Sequence, residues 1–580
     1  MHQVRPPFRR NLGIGLGAIG ALALGLGALP SAVADTTGPE NIILIIGDGM
    51  GYNHVDLASL YQGNSSNYQV SVDAETGDVE HLDGEPAQVY QDFAVQHPMS
   101  TYSVGGDYDP DIMWGDFDES VAADATDSAA SATAMATGVK TTNQAVGVGP
   151  DGEELPNVVE RAQELDKATG VVTSVVFPHP TPAAFAIHHE SRLDYLAVAD
   201  LLVHDSGLNV IMGTGHPGYD DNGDAYDAPD YNYISEQTWT DLAEDRTPFE
   251  LIEERADFTS LITAEDPPSH VMGVAQAWTT LQEARGDGES DEPFTDPFIE
   301  TVPELSEMTL GALNVLDSAS AEGFFLAVES GAIDWSSELH ATARVIEEQI
   351  ALNQTVEAAA DWVEENSSWE ETMIVVTSDH EAGYLAGPDA GGEQGPQWTP
   401  MVGTGSEQMP EHSWHRLGHS NQLVPLYANG NGSQALANRA TGDDPVRGSY
   451  LDNTDIGQVI LDELWQAEEP TDPPTEEPTD PPTEEPTDQP TDEPTDPPTE
   501  EPTDQPTDEP TDSSPAPAPT EEQPPGAGGS DDDDQATSPD AGPDETLPST
   551  GAPIGLVLVV GLALIGTGLV LTLRRRWQAN

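Results

Sequence analysis

The chain has no cysteine, and its 580 residues carry only 17 Lys and Arg against 105 Asp and Glu. Without cysteine there is no disulfide framework and no cysteine-derived nucleophile, so stability must come from core size or bound metals. The scarcity of bases excludes a nucleic-acid partner, because so acidic a surface repels phosphate backbones. The imbalance is not confined to the C-terminal tail. Of the acids, 27 fall in residues 468–580, and six of the arginines lie in the two terminal segments. That leaves 78 acids against 11 bases between them, about −67. Such self-repulsion suits a high-salt medium, where screening relieves it. The expected result is an unfolding midpoint that rises between low salt and about 1 M NaCl. Midpoints flat across that range would show that the acidic surface is locally compensated.

The two ends stand apart from the rest. Arg5, Arg9 and Arg10 precede an apolar run, Leu12 to Leu29, that ends in Ala32-Val33-Ala34. This reads as a secretory signal cleaved after Ala34, with the Arg9-Arg10 pair leaving a twin-arginine route open. From Glu468, six eight-residue units of the type EEPTDPPT run to Pro515, followed by a Pro/Ala-, Gly/Ser- and Asp-rich segment to Thr546. Frequent proline and mutually repelling carboxylates make this an acidic spacer, 468–546, with no core of its own. The chain finishes with LPSTG, Leu547 to Gly551, an apolar stretch Ala552 to Leu573 and Arg574-Arg575-Arg576. A single membrane anchor fits the apolar length. The three-part order also resembles a sortase sorting signal, 547–580, which would join an exported protein to Gram-positive peptidoglycan. A catalytic domain is expected over 35–467.

That domain reads as α/β, with a largely parallel central sheet, helices on both faces and an inserted cap or rim. Asn41 to Gly51, NIILIIGDGMG, is a buried strand that delivers Asp48 to a glycine-rich loop at its C-terminal end, where ligands sit in open α/β sheets. Neither GxGxxG nor a phosphate-loop Lys-Ser/Thr follows, which argues against a nucleotide there. Further strands are predicted at Gly170–Phe177, Leu208–Met212, Phe324–Val328, Met373–Thr377 and Leu423–Tyr427. Their ends carry His179 and Thr181, then Glu329, then Asp379-His380, all able to hold metal. Asp334 and Glu338 are four apart on one helical face, with His340 pointing away, and that helix is expected to run unbroken through Arg344 to about Val363. Leu57–Asp124 reads as a polar rim or insertion. Asp220–Thr309 reads as a decorated insertion without the twelve-position calcium loop.

The centre of the pattern is Asp124 to Lys140, DATDSAASATAMATGVK. Its small residues begin a helix, with Asp127, Ser128 and Thr133 near the start. A serine there sits beside unpaired N–H groups, which suits a nucleophile attacking an anion. The segment TPAAFAIHHES then leads to Arg192, placed on a helix starting near Pro182 and available as an anion clamp.

On these motifs, in this order, residues 40–465 resemble the alkaline phosphatase family. The resemblance implies hydrolysis of phosphate monoesters outside the cell through a phosphoserine at Ser128, with Asp127 orienting Arg192 on the phosphoryl oxygens. It implies two Zn²⁺ and one Mg²⁺. Asp48, Ser128, Asp379 and His380 match the zinc nearest the serine; Asp334 and His419 match the second zinc; Asp48, Thr181 and Glu329 match magnesium, with His179 near that shell. The family has histidine where this chain has Glu338, so either Glu338 or His340 completes the second zinc. The partners implied are small phosphomonoesters, and a homodimer is compatible. A related phosphodiesterase and a non-catalytic surface binding protein are the competing readings.

Overall fold

The computed structural model describes residues 38–466, apart from 74–75, 287–289, 291 and 393–395. The signal, spacer and sorting-signal expectations lie outside the described residues. No helix among the described residues is long and apolar enough to cross a membrane.

An eleven-stranded sheet organises the fold. In chain order its strands are β1 (Asn41–Gly47), β2 (Val95–Ser100), β3 (Ala168–Val176), β4 (Val210–Thr214), β5 (Glu250–Ile252), β6 (Val271–Val274), β7 (Phe324–Ser330), β8 (Thr372–Thr377), β9 (Val424–Gly430), β10 (Gly442–Asp444) and β11 (Gly448–Asp452). Across the sheet the order is β10-β11-β2-β9-β8-β1-β7-β3-β4-β6-β5. The run from β8 to β5 is wholly parallel; β9 turns antiparallel against β8 and β2. Strands buried on both faces must be apolar throughout, and β1 is: every residue from Asn41 to Gly47 is buried. Its alternate side chains feed two cores. Ile43 and Ile45 join one, while Ile42, Leu44 and Ile46 join the other.

Helices α1 (Tyr52–Gly63), α2 (Ser128–Thr137), α3 (Leu305–Ala319), α4 (Ala332–Glu338) and α5 (Thr342–Asn366) include those that cover these faces. α1, α3 and α5 supply the Ile43 side, and the alanine-rich α2 packs into the Ile42 side. Small residues on α2 admit close neighbours. A Cβ on Gly457 would meet the Gly138 amide nitrogen at 2.4 Å, so only glycine fits where the C-terminal helix crosses the end of α2.

The fold class is the expected one, but four local expectations need correction. Asp220–Thr309 is more than decoration, since it contributes β5 and β6 to the main sheet. Their short runs, interrupted by Gly and Pro, hide a parallel edge that only pairing reveals. Leu57–Asp124 likewise contains most of α1 and the interior strand β2. Arg192 is not on a helix: the segment after Pro180–Ala183, a single helical turn, continues as turns and bends. The helix carrying Asp334 is not continuous either. It stops at Glu338, His340 takes φ +56°, and α5 starts afresh at Thr342.

Candidate active site

The register of the parallel strands brings the chemistry to one edge. Ile46 of β1 stands opposite both Glu329 of β7 and Thr377 of β8, and Thr173 of β3 stands opposite Glu329. Asp48, Glu329 and Asp379-His380 therefore converge where the central strands end. Gly49 makes the β1 end possible. It has φ +79°, and a Cβ there would fall 2.7 Å from Asp334 Cα, so any side chain would drive the Asp48 loop away from α4. The loop is tied down by the Gly49 amide, which donates to Asp379 Oδ1 at 3.2 Å.

Ser128 is the first residue of α2 and is buried. Asp127 caps the helix: its Oδ1 accepts from the Ala130 amide at 2.9 Å, and its Oδ2 accepts from the Gln144 amide at 2.8 Å. The same carboxylate pairs with Arg192 at 3.2 Å. Arg192 is held in turn by its own amide, which donates to Gln144 O. One aspartate thus starts the serine helix and fixes the buried guanidinium. Ser131, one turn on, donates from Oγ to Asp379 O at 2.6 Å and accepts from Asn453 Nδ2, locking α2 to the end of β8.

Ser128 Oγ lies 3.2 Å from His380 Nε2. That nitrogen is 3.2 Å from Asp379 Oδ2 and 3.4 Å from Asp48 Oδ1. A second group adjoins it. His419 Nε2 is 3.4 Å from Asp334 Oδ1 and 3.6 Å from Glu338 Oε1, and its ring stacks on that of His380 at 3.5 Å. His419 arrives on a two-residue antiparallel ladder in which Ala382 and Glu381 face His419 and Ser420. With Nδ1 placed against Thr126 O at 2.8 Å, Nδ1 is the donor and Nε2 carries the free lone pair. A third group joins Asp48, His179 and Glu329, with His179 Nδ1 2.8 Å from Glu329 Oε1. Thr181, fully buried in the one-turn helix after β3, adjoins the same carboxylate.

His340, the other candidate for the second group, turns elsewhere. Its Nε2 bonds Arg416 O at 2.7 Å and its ring stacks on Trp414 at 5.5 Å. The chain break at His340 is what aims it there, since the left-handed residue ends the turn while Ala341 N returns to Ser336 O. Sequence reasoning overlooked Thr173, whose Oγ1 donates to Glu329 Oε2 at 2.5 Å. Its signal was weak, because the same strand also carries hydroxyls at Thr169 and Ser174.

Electrostatics show what these groups lack. Burial, reinforced by neighbouring carboxylates, pushes Asp48 and Asp334 well above the ordinary aspartate range, with Arg192 opposing. Burial also pushes Asp379 up to about 6, against the pull of His419. For Glu329 burial is outweighed by His179, Thr173 and Thr181, and its carboxyl is held low. Burial drives His380 well below the usual histidine value, keeping it neutral. Both oxygens of Asp48, Asp334 Oδ1, Asp379 Oδ2 and His419 Nε2 are buried without a hydrogen-bond partner. Orphaned carboxylate oxygens and a free imidazole lone pair, repelling one another with one cation nearby, are the donor set of divalent metals. The residues present fit metal cofactors.

The family model described as alkaline phosphatase matches residues 112–458, more than half of the chain. The chain belongs to the alkaline phosphatase family. Alkaline phosphatase 3 of Bacillus subtilis (strain 168) is 28% identical over 386 residues, which cover 64% of this chain and 69% of that protein. The repressible alkaline phosphatase of Saccharomyces cerevisiae is 30% identical over 252 residues, 41% of this chain and 42% of that protein. Among solved structures, the alkaline phosphatase from the Antarctic bacterium TAB5 superposes with a TM-score of 0.50 at 22% identity, covering 74% of this chain and all of that one. That likeness establishes the alkaline phosphatase-like fold. As a member of this family the chain is a hydrolase of the alkaline phosphatase superfamily, a phosphatase with three groups of residues able to hold metal ions.

Proposed function

We propose that the protein hydrolyses phosphate monoesters through a phosphoserine at Ser128 and releases inorganic phosphate. The observation that carries this reading is Ser128 Oγ at the start of α2, 3.2 Å from His380 Nε2, beside an arginine locked by the helix cap. The resemblance to the family implies two Zn²⁺ and one Mg²⁺, and the residue chemistry fits them. Asp48, Asp379, His380 and Ser128 would hold the first zinc, Asp334, Glu338 and His419 the second, and Asp48, Thr181, Glu329 and His179 the magnesium. Bound there, such ions would neutralise the carboxylates, lower the pKa of the serine hydroxyl and offset charge on the leaving oxygen.

The chain's own residues do the rest. Arg192 forks onto two phosphoryl oxygens and, held by Asp127, presents phosphorus in line with Ser128 Oγ. The positive end of α2 favours the anion at the same place. Ser128 Oγ bonds to phosphorus, the ester P–O bond breaks, and the alcohol leaves with the proton the serine gave up. Water then attacks phosphorus from the side the alcohol left, opposite Oγ; the P–Oγ bond breaks, and the serine oxygen takes back a proton from that water as phosphate departs. Because the protein grips the phosphoryl centre, the rate depends weakly on the alcohol. Turnover of p-nitrophenyl phosphate far above that of bis-p-nitrophenyl phosphate is expected; the reverse preference would make the chain a phosphodiesterase.

Glu338, rather than His340, is assigned to the second zinc. A carboxylate in place of imidazole adds negative charge, which raises the pH optimum and makes the site less zinc-selective. Glu338→Ala should lose about tenfold to a hundredfold in activity, the scale on which partners of a metal site act. Glu338→His should stay active with a lower pH optimum, and His340→Ala should change little. Zinc lost from His340→Ala but not from Glu338→Ala would reverse the assignment.

The same reading places the enzyme outside the cell. Residues 1–34 would direct export, 35–467 catalyse, 468–546 space the enzyme from the surface, and 547–580 carry the sorting signal for sortase attachment to peptidoglycan.

A further inference from the structure

The described part of the chain is so acidic that its arginines are almost all paired. Seven of its nine arginines lie in ion pairs; Arg416 and Arg447 do not. Arg416 spends its guanidinium on the Val121 and Ala123 carbonyls. Arg447 is different. Its Nη1 donates to Tyr68 O at 2.8 Å, and no other guanidinium donor is engaged among the described residues. Its Cζ lies over the Tyr52 ring, 4.3 Å from the centroid, and 6.0 Å from that of Trp114.

The buried carboxylates Asp56 and Asp444 lie near it, but neither forms an ion pair with it. Asp444 Oδ2 accepts from Tyr108 Oη and Trp114 Nε1, and Oδ1 accepts from the Val446 and Arg447 amides. Its oxygens are filled by neutral donors, and the residue is buried.

Arg447 lines a surface cavity of about 230 Å³. Its walls are aromatic and flat: Tyr52, Tyr68 and Tyr427, with Pro98 and Pro425. Tyr52 and Tyr68 meet edge to face at 4.9 Å, and Tyr68 and Tyr427 join through their hydroxyls at 2.7 Å, so the walls are fixed in place. His81, exposed on the strand Val79–His81, joins Asn67, Gln96 and His97 in the polar part of the lining. No Asp or Glu lines this cavity, although they outnumber Lys and Arg about sixfold in the chain. None of its lining residues belongs to the centre around Ser128.

We propose that this cavity is a second binding site, separate from the Ser128 centre, for a small molecule that joins an oxyanion to a flat ring. Arg447 supplies forked donors to the oxyanion, and the tyrosine and proline walls take the ring. The size suits a single ring. The absence of carboxylates matters as much as the arginine, because one acid in the lining would cancel the attraction.

Phenylphosphonate, which cannot be hydrolysed as an ester, tests this on the full metal-loaded chain. Calorimetric titration should show two binding events, one lost in Arg192→Ala and the other in Arg447→Met. His81→Glu, an exposed change that puts a carboxylate into the lining, should weaken the second event at least tenfold while p-nitrophenyl phosphate turnover stays unchanged. It decides the matter if Arg447→Met does not fold. Inorganic phosphate, without a ring, should bind there at least tenfold more weakly than phenylphosphonate. A single event abolished by Arg192→Ala, a second event untouched by His81→Glu, or equal affinity for phosphate would each overturn the proposal.

Discussion

Ser128→Ala is expected to keep the fold and the metals but to lose activity by at least about 10³-fold, because no other hydroxyl can form the covalent intermediate. Three hydroxyls lie close in sequence and none can substitute. Ser131 is turned to Asp379 O and Asn453, Thr133 donates to Ala145 O, and Thr126 donates to Asp127 O, so all are engaged elsewhere. The fold should survive because the change removes one oxygen at the first position of α2, while the helix cap rests on Asp127. Quenched-flow labelling with a ³²P-monoester, followed by peptide mapping, gives the decisive readout. Label on the peptide holding Ser128, absent from Ser128→Ala, supports the assignment. Label on another residue would sink it.

Stripping the metals should abolish turnover and also make stability depend on pH in an unusual direction. Burial holds Asp379 at about 6, above the ordinary aspartate range, and Asp48 and Asp334 are raised well above it by burial and like charge. A carboxyl whose folded pKa exceeds its unfolded value favours the fold while protonated, and that advantage is lost as pH rises through the folded pKa. For Asp379 alone the change amounts to about 3 kcal/mol between pH 4 and neutrality. The chelated protein should therefore unfold at progressively lower temperature as pH is raised from 4 to 8, whereas the metal-loaded protein should not. Zinc and magnesium added back at pH 8 should restore most of the midpoint, because binding to the folded state alone stabilises it. A chelated protein equally stable at pH 4 and 8 would show that these carboxyls are relieved by some other means.

How far the sequence reached can be judged residue by residue. Apolar, β-branched runs such as Ile42–Ile46 determined the parallel strands, because a strand buried on both faces has no polar period to obscure it. Asp48, Glu329 and Asp379-His380 were legible as a site because each follows or ends such a run. Ser128 was legible as a helix start because Asp127 and the small residues after it can do little else there.

Other features depended on contacts distant in sequence. β6 is a strand because β4 offers it an edge, and β5 because β6 does, not because their own short runs demand it. The break at His340 follows from its ring finding Trp414 and Arg416, some seventy residues on, so local helix propensity continued where the chain does not. That contact also leaves Glu338 beside His419, a choice between neighbours that spacing on a regular helix could only suggest. The Arg447 cavity had no sequence signal at all. The sequence by itself determined the family, the parallel centre of the sheet and the candidate site side chains, since those rest on local patterns; the outer strands, register, the helix break and the carboxylate-free pocket were decided only when the tertiary structure brought distant parts of the chain into contact.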